Sequence, residues 1–425
     1  MKKLNLIIFT TIAFALGVAL GAGAFWLLST DNASTTYPQQ EHHAEQPHTE
    51  EPHTPTHNPQ ETGRSSTSSF SAIETGGMSS FALMADANLW AWGNNHNNML
   101  GNGTVTNQYG AMLVIENAVA VSASHSHTMV IDTSGNLWGL GANNQGQLGD
   151  GTIAQRQYPI MIMEDVYAVS TARSHTMAIT TCGTLWAWGS GSGELGIGAR
   201  NWQQQLTPAH VMDNVAAVST GDRHTAAITR SGNLYAWGNG ADHRDRSNIT
   251  QRFIDGEVVL TDRDGNVLDN FLSPAFITND VAAVSAGGSH TMFIKTDGSL
   301  WAWGSNEHGQ LGNGLNTPTH EPIHIMDNVI AIEAGETHSF AITEDGVLWA
   351  WGANGGTLGD GTTTTRHVPT RIMENVAAVS TSAFHTIATT HCGTLWVWGN
   401  WSAVNHMLGG DFNPQTHAPM RVRVI

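Results

Sequence analysis

Short apolar runs alternate with polar, glycine-rich turns along this chain, and the alternation repeats with a long period. The pattern Leu-aromatic-x-Trp/Leu-Gly occurs seven times, at Leu89–Gly93, Leu137–Gly141, Leu185–Gly189, Leu234–Gly238, Leu300–Gly304, Leu348–Gly352 and Leu395–Gly399. Its aromatic residues, from Trp90 to Trp396, are spaced by 48, 48, 49, 66, 48 and 47 residues, so one unit is copied seven times with a single insertion. A fixed period of this length marks a propeller, solenoid or array. Each unit holds four runs of strand length, in the fifth unit residues 281–285, 290–294, 300–303 and 322–326, which leaves no room for a long helix. Within 300–303, period-two geometry puts Leu300 and Ala302 on one face and Trp301 and Trp303 on the other. Neither face is polar, so the strand must be covered on both sides. A radial array of sheets does this, and the expected fold is all-β, a seven-bladed β-propeller with four-stranded blades.

The units share the composite motif V-x-A-V-S-x-x-x-x-H-T-x-x-I-x-x-x-G-x-L-W-A-W-G-x-N-x-x-G-Q-L-G-x-G-T, running from Val119 to Thr152 in unit two and from Val281 to Gly314 in unit five. On these residues the chain, over 70–425, resembles the regulator of chromosome condensation repeat family, whose members form seven-bladed propellers. Unit one departs from the pattern with Ser79, where the other units have His127, His175, His224, His290, His338 and His385. Unit four lacks the G-Q-L-G segment. Ring closure is expected to use the C-terminus: if each blade borrows its fourth strand from the preceding unit, residues 420–425 complete the blade begun at Phe70 and leave no open edge between the ends.

Residues 4–28 are almost wholly apolar and follow Lys2 and Lys3. The run is long enough to span a bilayer, and its flanking lysines place the propeller outside the cytoplasm. An uncleaved anchor is favoured because residues 25–28 continue the apolar run beyond Ala22-Gly23-Ala24, while a cleaved signal peptide stays open as the alternative. Gly17 and Gly21 form a GxxxG in this segment. Residues 29–69, rich in Pro, Thr, Glu and His, read as a disordered tether. The spacing of His42, His43, His48, His53 and His57 matches no fixed metal motif. The chain's net charge of −18 opposes nucleic-acid binding.

The recurring features point to framework. Six histidines at one position make no sense as catalytic bases and read as buried hydrogen bonds between blades. The glycine-rich Gly146–Gly151 and Gly309–Gly314 stretches open no helix and lack the lysine of a phosphate loop. Cys182 and Cys392 occupy equivalent places in units that are not neighbours, which argues against a bridge. No catalytic constellation, cofactor or metal site is expected, though Asp262, Asp264 and Asn266 could ligate calcium. The insertion, 239–280, reads as a hairpin of Glu257–Thr261 with 267–271. It resembles only in kind the wedge that exchange factors of the family direct at a small GTPase.

Function is sought where the copies differ. The two residues before the recurrent histidine position vary in every unit and would form a ring of loop tips that includes Met78, His125, Arg173, Asp222, Arg223, Glu336 and Phe384. Trp202 and Trp401 lie outside the core pattern and are candidate aromatic anchors. The expected molecule is a monomeric, non-enzymatic propeller that binds a protein ligand on the outer side of the membrane. The resemblance also implies two alternatives, inhibition of a cell-wall or beta-lactam-related enzyme and guanine-nucleotide exchange; a third, carbohydrate binding, would rest on Trp202 and Trp401.

Overall fold

The computed structural model describes residues 70–422 apart from 192, 199–203, 239–249, 255–256, 262–271 and 401–416. Each repeat unit folds into its own antiparallel sheet of four strands, giving seven blades. The first strands, from Phe70–Gly76 in blade 1 to Val376–Thr381 in blade 7, line a central channel of about 380 Å³. The second strands start at the recurrent His position, the third are the Leu-aromatic-x-Trp/Leu-Gly segments, and the fourth form the rim. Two-residue connections carry the chain from each rim strand to the next blade. The second residue of each, Asn117, Asp165, Asn214, Asp280, Asn328 or Asn375, is left-handed with φ between 58° and 63°. Asn and Asp tolerate that region better than other side chains, which is why these two types recur there.

Burial follows the repeat. The second aromatic of the third strand, as in Trp188, Trp237, Trp303, Trp351 and Trp398, is at most 1% exposed. The Trp188 indole N–H donates to the Gln147 carbonyl of the preceding blade at 2.9 Å, and Trp351 does the same to Gln310. A Cβ on Gly149 would lie 2.7 Å from the Trp188 ring, and one on Gly312 equally close to that of Trp351. Both glycines also have positive φ. The glycine-rich stretches are therefore seats for the neighbouring blade's tryptophan.

Every described recurrent histidine bridges two blades. The Nε2 atoms of His127, His175, His224, His290, His338 and His385 lie 2.8, 3.4, 2.8, 2.8, 2.7 and 2.9 Å from hydroxyls of Thr176, Thr225, Thr291, Ser339, Thr381 and Ser80. Thr176 and Ser339 donate their own hydrogens to the carbonyls of Gln147 and Gln310. Those hydroxyls can only accept from the ring, which puts a proton on Nε2 of His127 and His290. Burial pushes His127, His175, His290 and His385 down to about 3 and His338 to about 4. Blade 1 has no histidine at this position. There Ser79 Oγ lies 3.5 Å from Sδ of Met99, the residue standing where blade 2 has Gln147.

A second belt runs around the channel. In blades 2, 3, 4, 5 and 7 the serine of the inner strand accepts a backbone N–H from the next blade, as Ser122 does from Thr171 at 3.0 Å and Ser380 from Thr75 at 3.0 Å. Glu74 and Glu333 take the serine's place in blades 1 and 6, receiving the N–H groups of Ala123 and Thr381.

The expected closure is not what forms. Met420–Val422 pairs with Leu395–Gly399 of its own unit, with Trp396 opposite Arg421, and is the rim strand of blade 7. Blade and unit coincide, so no strand is borrowed. Blade 7 meets blade 1 through the bonds used at the other interfaces, Ser380 to Thr75 and His385 to Ser80, with an added bond from Ser382 Oγ to the Gly77 carbonyl at 2.7 Å. The hairpin of the insertion also differs from expectation. Glu257–Thr261 pairs upstream with Thr250–Ile254, register Ile254 to Glu257, while 267–271 lies outside the described residues. Asp255-Gly256 between them is a pair suited to a two-residue turn. Ala275–Thr278, inside the range assigned to the insertion, is the rim strand of blade 4. Residues 4–28 and the Asp262–Asn266 turn lie outside the described residues; among the described residues no helix is long and apolar enough to cross a membrane.

Candidate functional site

The loops joining first to second strands all open at one mouth of the channel. They are tips of two or three residues held between rigid strands, so their side chains are placed by the framework while their identity is free to vary. The leading tip residues Gly77, His125, Arg173, Asp222, Gly288, Glu336 and Ala383 surround a recess of about 110 Å³. Lateral bonds tie neighbouring tips: Ser126 Oγ donates to the Arg173 carbonyl at 3.3 Å, and the Gly288 N–H to Gly335 at 3.2 Å.

Two halves of this mouth differ in character. Over blades 3 to 6 the tips line a groove of about 470 Å³, in which Arg173, Asp222, Arg223 and Glu336 are joined by Glu194, Glu307 and His308 from the loops after the third strands. Cations and carboxylates are mixed there. Burial raises the Asp222 carboxyl above its usual range, and the Glu336 charge adds to this against the opposing pull of His125, Arg173 and Arg223. On the other half the chemistry is aromatic and apolar. Phe384 meets His125 edge to face with ring centroids 6.1 Å apart, and half-buried Met78 lies on the adjoining tip. Of the residues singled out from sequence, the structure thus gathers Met78, His125, Arg173, Asp222, Arg223, Glu336 and Phe384 at one end of the ring. Trp202 and Trp401 lie outside the described residues.

Sequence reasoning missed Glu194, Glu307 and His308, although their signal was present as variation inside the G-Q-L-G segment for Glu194 and in the two positions before it for Glu307 and His308. It also missed the channel carboxylates, which appear as Glu74 and Glu333 at the serine of the V-x-A-V-S motif. Burial, the Glu333 charge and a weaker opposing bond from Ala123 leave the Glu74 carboxyl well above the usual range. Burial pushes Glu333 up to about 8. Among the described residues no group of three or more His, Cys, Asp or Glu side chains is placed to hold a metal ion, and Cys182 and Cys392 are exposed free thiols.

The sequence model of the RCC1-like domain matches residues 116–425. Blade 1, which carries Ser79 and Met99, precedes the matched region. Over 47 residues the chain is 45% identical to the RCC1 domain-containing protein RUG3, mitochondrial, of Arabidopsis thaliana, a match that spans 11% of each chain. The fold is similar to that of Prp20p from Saccharomyces cerevisiae, with TM-score 0.67 and 21% identity over 79% of this chain and 86% of that one. It is likewise similar to human WBSCR16, with TM-score 0.65 and 21% identity over 79% of this chain and 94% of the other.

Proposed function

The chain belongs to the RCC1-like domain family, and from that premise we propose that it is a non-enzymatic binding propeller whose tip face engages a protein ligand on the outer side of a membrane. One observation carries the reading: residues that vary from unit to unit converge at one channel mouth, while the histidines, tryptophans and glycines that repeat are consumed by contacts between blades. A mixed groove of Arg173, Asp222, Arg223 and Glu336 beside an aromatic edge at His125 and Phe384 suits a protein surface, where charges set orientation and aromatics supply area. The Lys2-Lys3 flank of the apolar run supports the outer location.

Capture of partners from the envelope fraction with the 70–425 ring tests the reading. Replacing Arg173, Arg223, Glu336 and Phe384 together by Ala is expected to preserve the melting temperature and weaken whatever the native ring captures. Normal capture by that variant would move the site to another face. The location has its own check: protease added to intact spheroplasts should release a folded fragment beginning in 29–69, and protection of the ring would overturn the orientation. A second reading, contact with a small GTPase, follows from family membership and from Prp20p, whose structure was described with its binding to Gsp1p and histones. It predicts that a GTPase is among the captured proteins.

A further inference from the structure

Each blade presents the open edge of its rim strand, a row of backbone groups able to pair with another strand. Six of the seven rims carry a proline at the same register, just before the residue paired with the centre of the third strand: Pro159, Pro208, Pro274, Pro322, Pro369 and Pro419. A proline fits there without disturbing the sheet because the N–H it lacks would face away from the third strand. These prolines therefore blunt the open edge. Blade 1 has Ala111 at this position, one residue before Met112, the partner of Ala91. Its rim strand Gln108–Ile115 thus keeps an outward N–H where the other blades have none.

The same strand is bare in a second respect. Residues 87–115 contain no Asp, Glu, Lys or Arg, in a chain of net charge −18. Tyr109 is 57% and Leu113 40% exposed, and on the adjoining rim of blade 2 Tyr158 and Met161 are 63% and 51% exposed. Tyr158 packs against Gly103 of blade 1, so the apolar surface continues from one blade to the next.

We propose that the rim strand of blade 1 pairs with the same strand of a second copy of this chain, antiparallel about a two-fold axis at Ala111. The two blade 1 sheets would join as one. Tyr109 of one copy would then face Leu113 of the other, an aromatic-aliphatic cross-strand pair. Charge selects this occupant. An acidic chain repels its own copies wherever carboxylates meet, and this uncharged edge lets two copies approach without that repulsion. A two-fold axis also makes the single unguarded strand complementary to itself.

Two differently tagged full-length copies expressed in one cell test the pairing. Capture of one is expected to recover the other. Ala111→Pro, which restores the guard of the other blades, should reduce recovery to background, as should Leu113→Lys, which sets a charge in the pair without touching the backbone. The melting temperature of each variant reports whether the ring still folds. Absence of co-capture for the native chain would overturn the proposal, and so would co-capture that survives both substitutions in folded protein.

Discussion

His290 shows how a residue that looks catalytic is used up by the frame. It is 1% exposed, its Nε2 lies 2.8 Å from Ser339 Oγ in the next blade, and that hydroxyl is itself committed to the Gln310 carbonyl. Replacing His290 by Ala leaves the hydroxyl short of a donor and opens a ring-sized gap, so thermal or denaturant melting should show a loss of about 1–3 kcal/mol. Ligand capture by the folded variant should be unchanged. Blade 1 shows the other solution, in which Ser79 and the Met99 thioether occupy the site together. Their joint departure from the motif is readable in sequence, but that they touch is not, since twenty residues separate them.

Among elements, the rim strand of blade 7 changes most between expectation and structure. Both readings of Met420–Val422 place it in a sheet; they differ over which one, and the repeat's phase cannot choose because a cyclic pattern may be cut at any strand. The pairing of the folded chain decides it: in every blade the rim strand joins the third strand of its own unit. Deleting 420–425 should consequently leave the ring closed. The expected result is a lower melting temperature from loss of one rim strand, with a monomeric hydrodynamic radius unchanged under conditions where the native chain is monomeric. Ser380→Ala combined with His385→Ala, by contrast, removes the closing bonds to Thr75 and Ser80 and should cost more. Comparing the two variants by scanning calorimetry checks the ranking. The hairpin of the insertion teaches a related lesson. Glu257–Thr261 is legible as a strand, but it pairs with Thr250–Ile254, the segment nearer to it in sequence, rather than with 267–271.

For the whole molecule, two sets of buried titratable groups act in opposite directions on stability. Histidines held near 3 or 4 bind fewer protons folded than unfolded, so stability is lost as pH falls below their ordinary value of about 6.5. Glu74 and Glu333, raised in the fold, bind more protons folded than unfolded, so their contribution is lost as pH rises from about 4.5, for Glu333 through about 8. Below 6.5 five such histidines outnumber the two carboxylates, whereas among these groups only the carboxylates titrate above it. The melting temperature should therefore peak near pH 6.5, falling steeply on the acid side and more gently toward pH 8. Glu333→Gln keeps an acceptor for Thr381 without the charge, and should flatten the alkaline limb while leaving the acid limb in place. A native profile that rises steadily through pH 8 would show that the channel carboxylates are not raised.

The sequence by itself determined the all-β class, the seven units, the four strands in each and the framework role of the histidines and tryptophans. Those follow from local periodicity repeated in register, and repetition averages out the ambiguity of any single short strand. It also indicated which tip residues vary. Only the tertiary structure decided that the tips share one mouth, that Glu194, Glu307 and His308 join them, and that Glu74 and Glu333 enter one channel. It alone decided that the last strand stays in its own blade. These are relations between residues tens to hundreds of positions apart, set by how sheets turn around an axis. A repeat pattern specifies each blade but carries no record of which side chains meet when the ring closes.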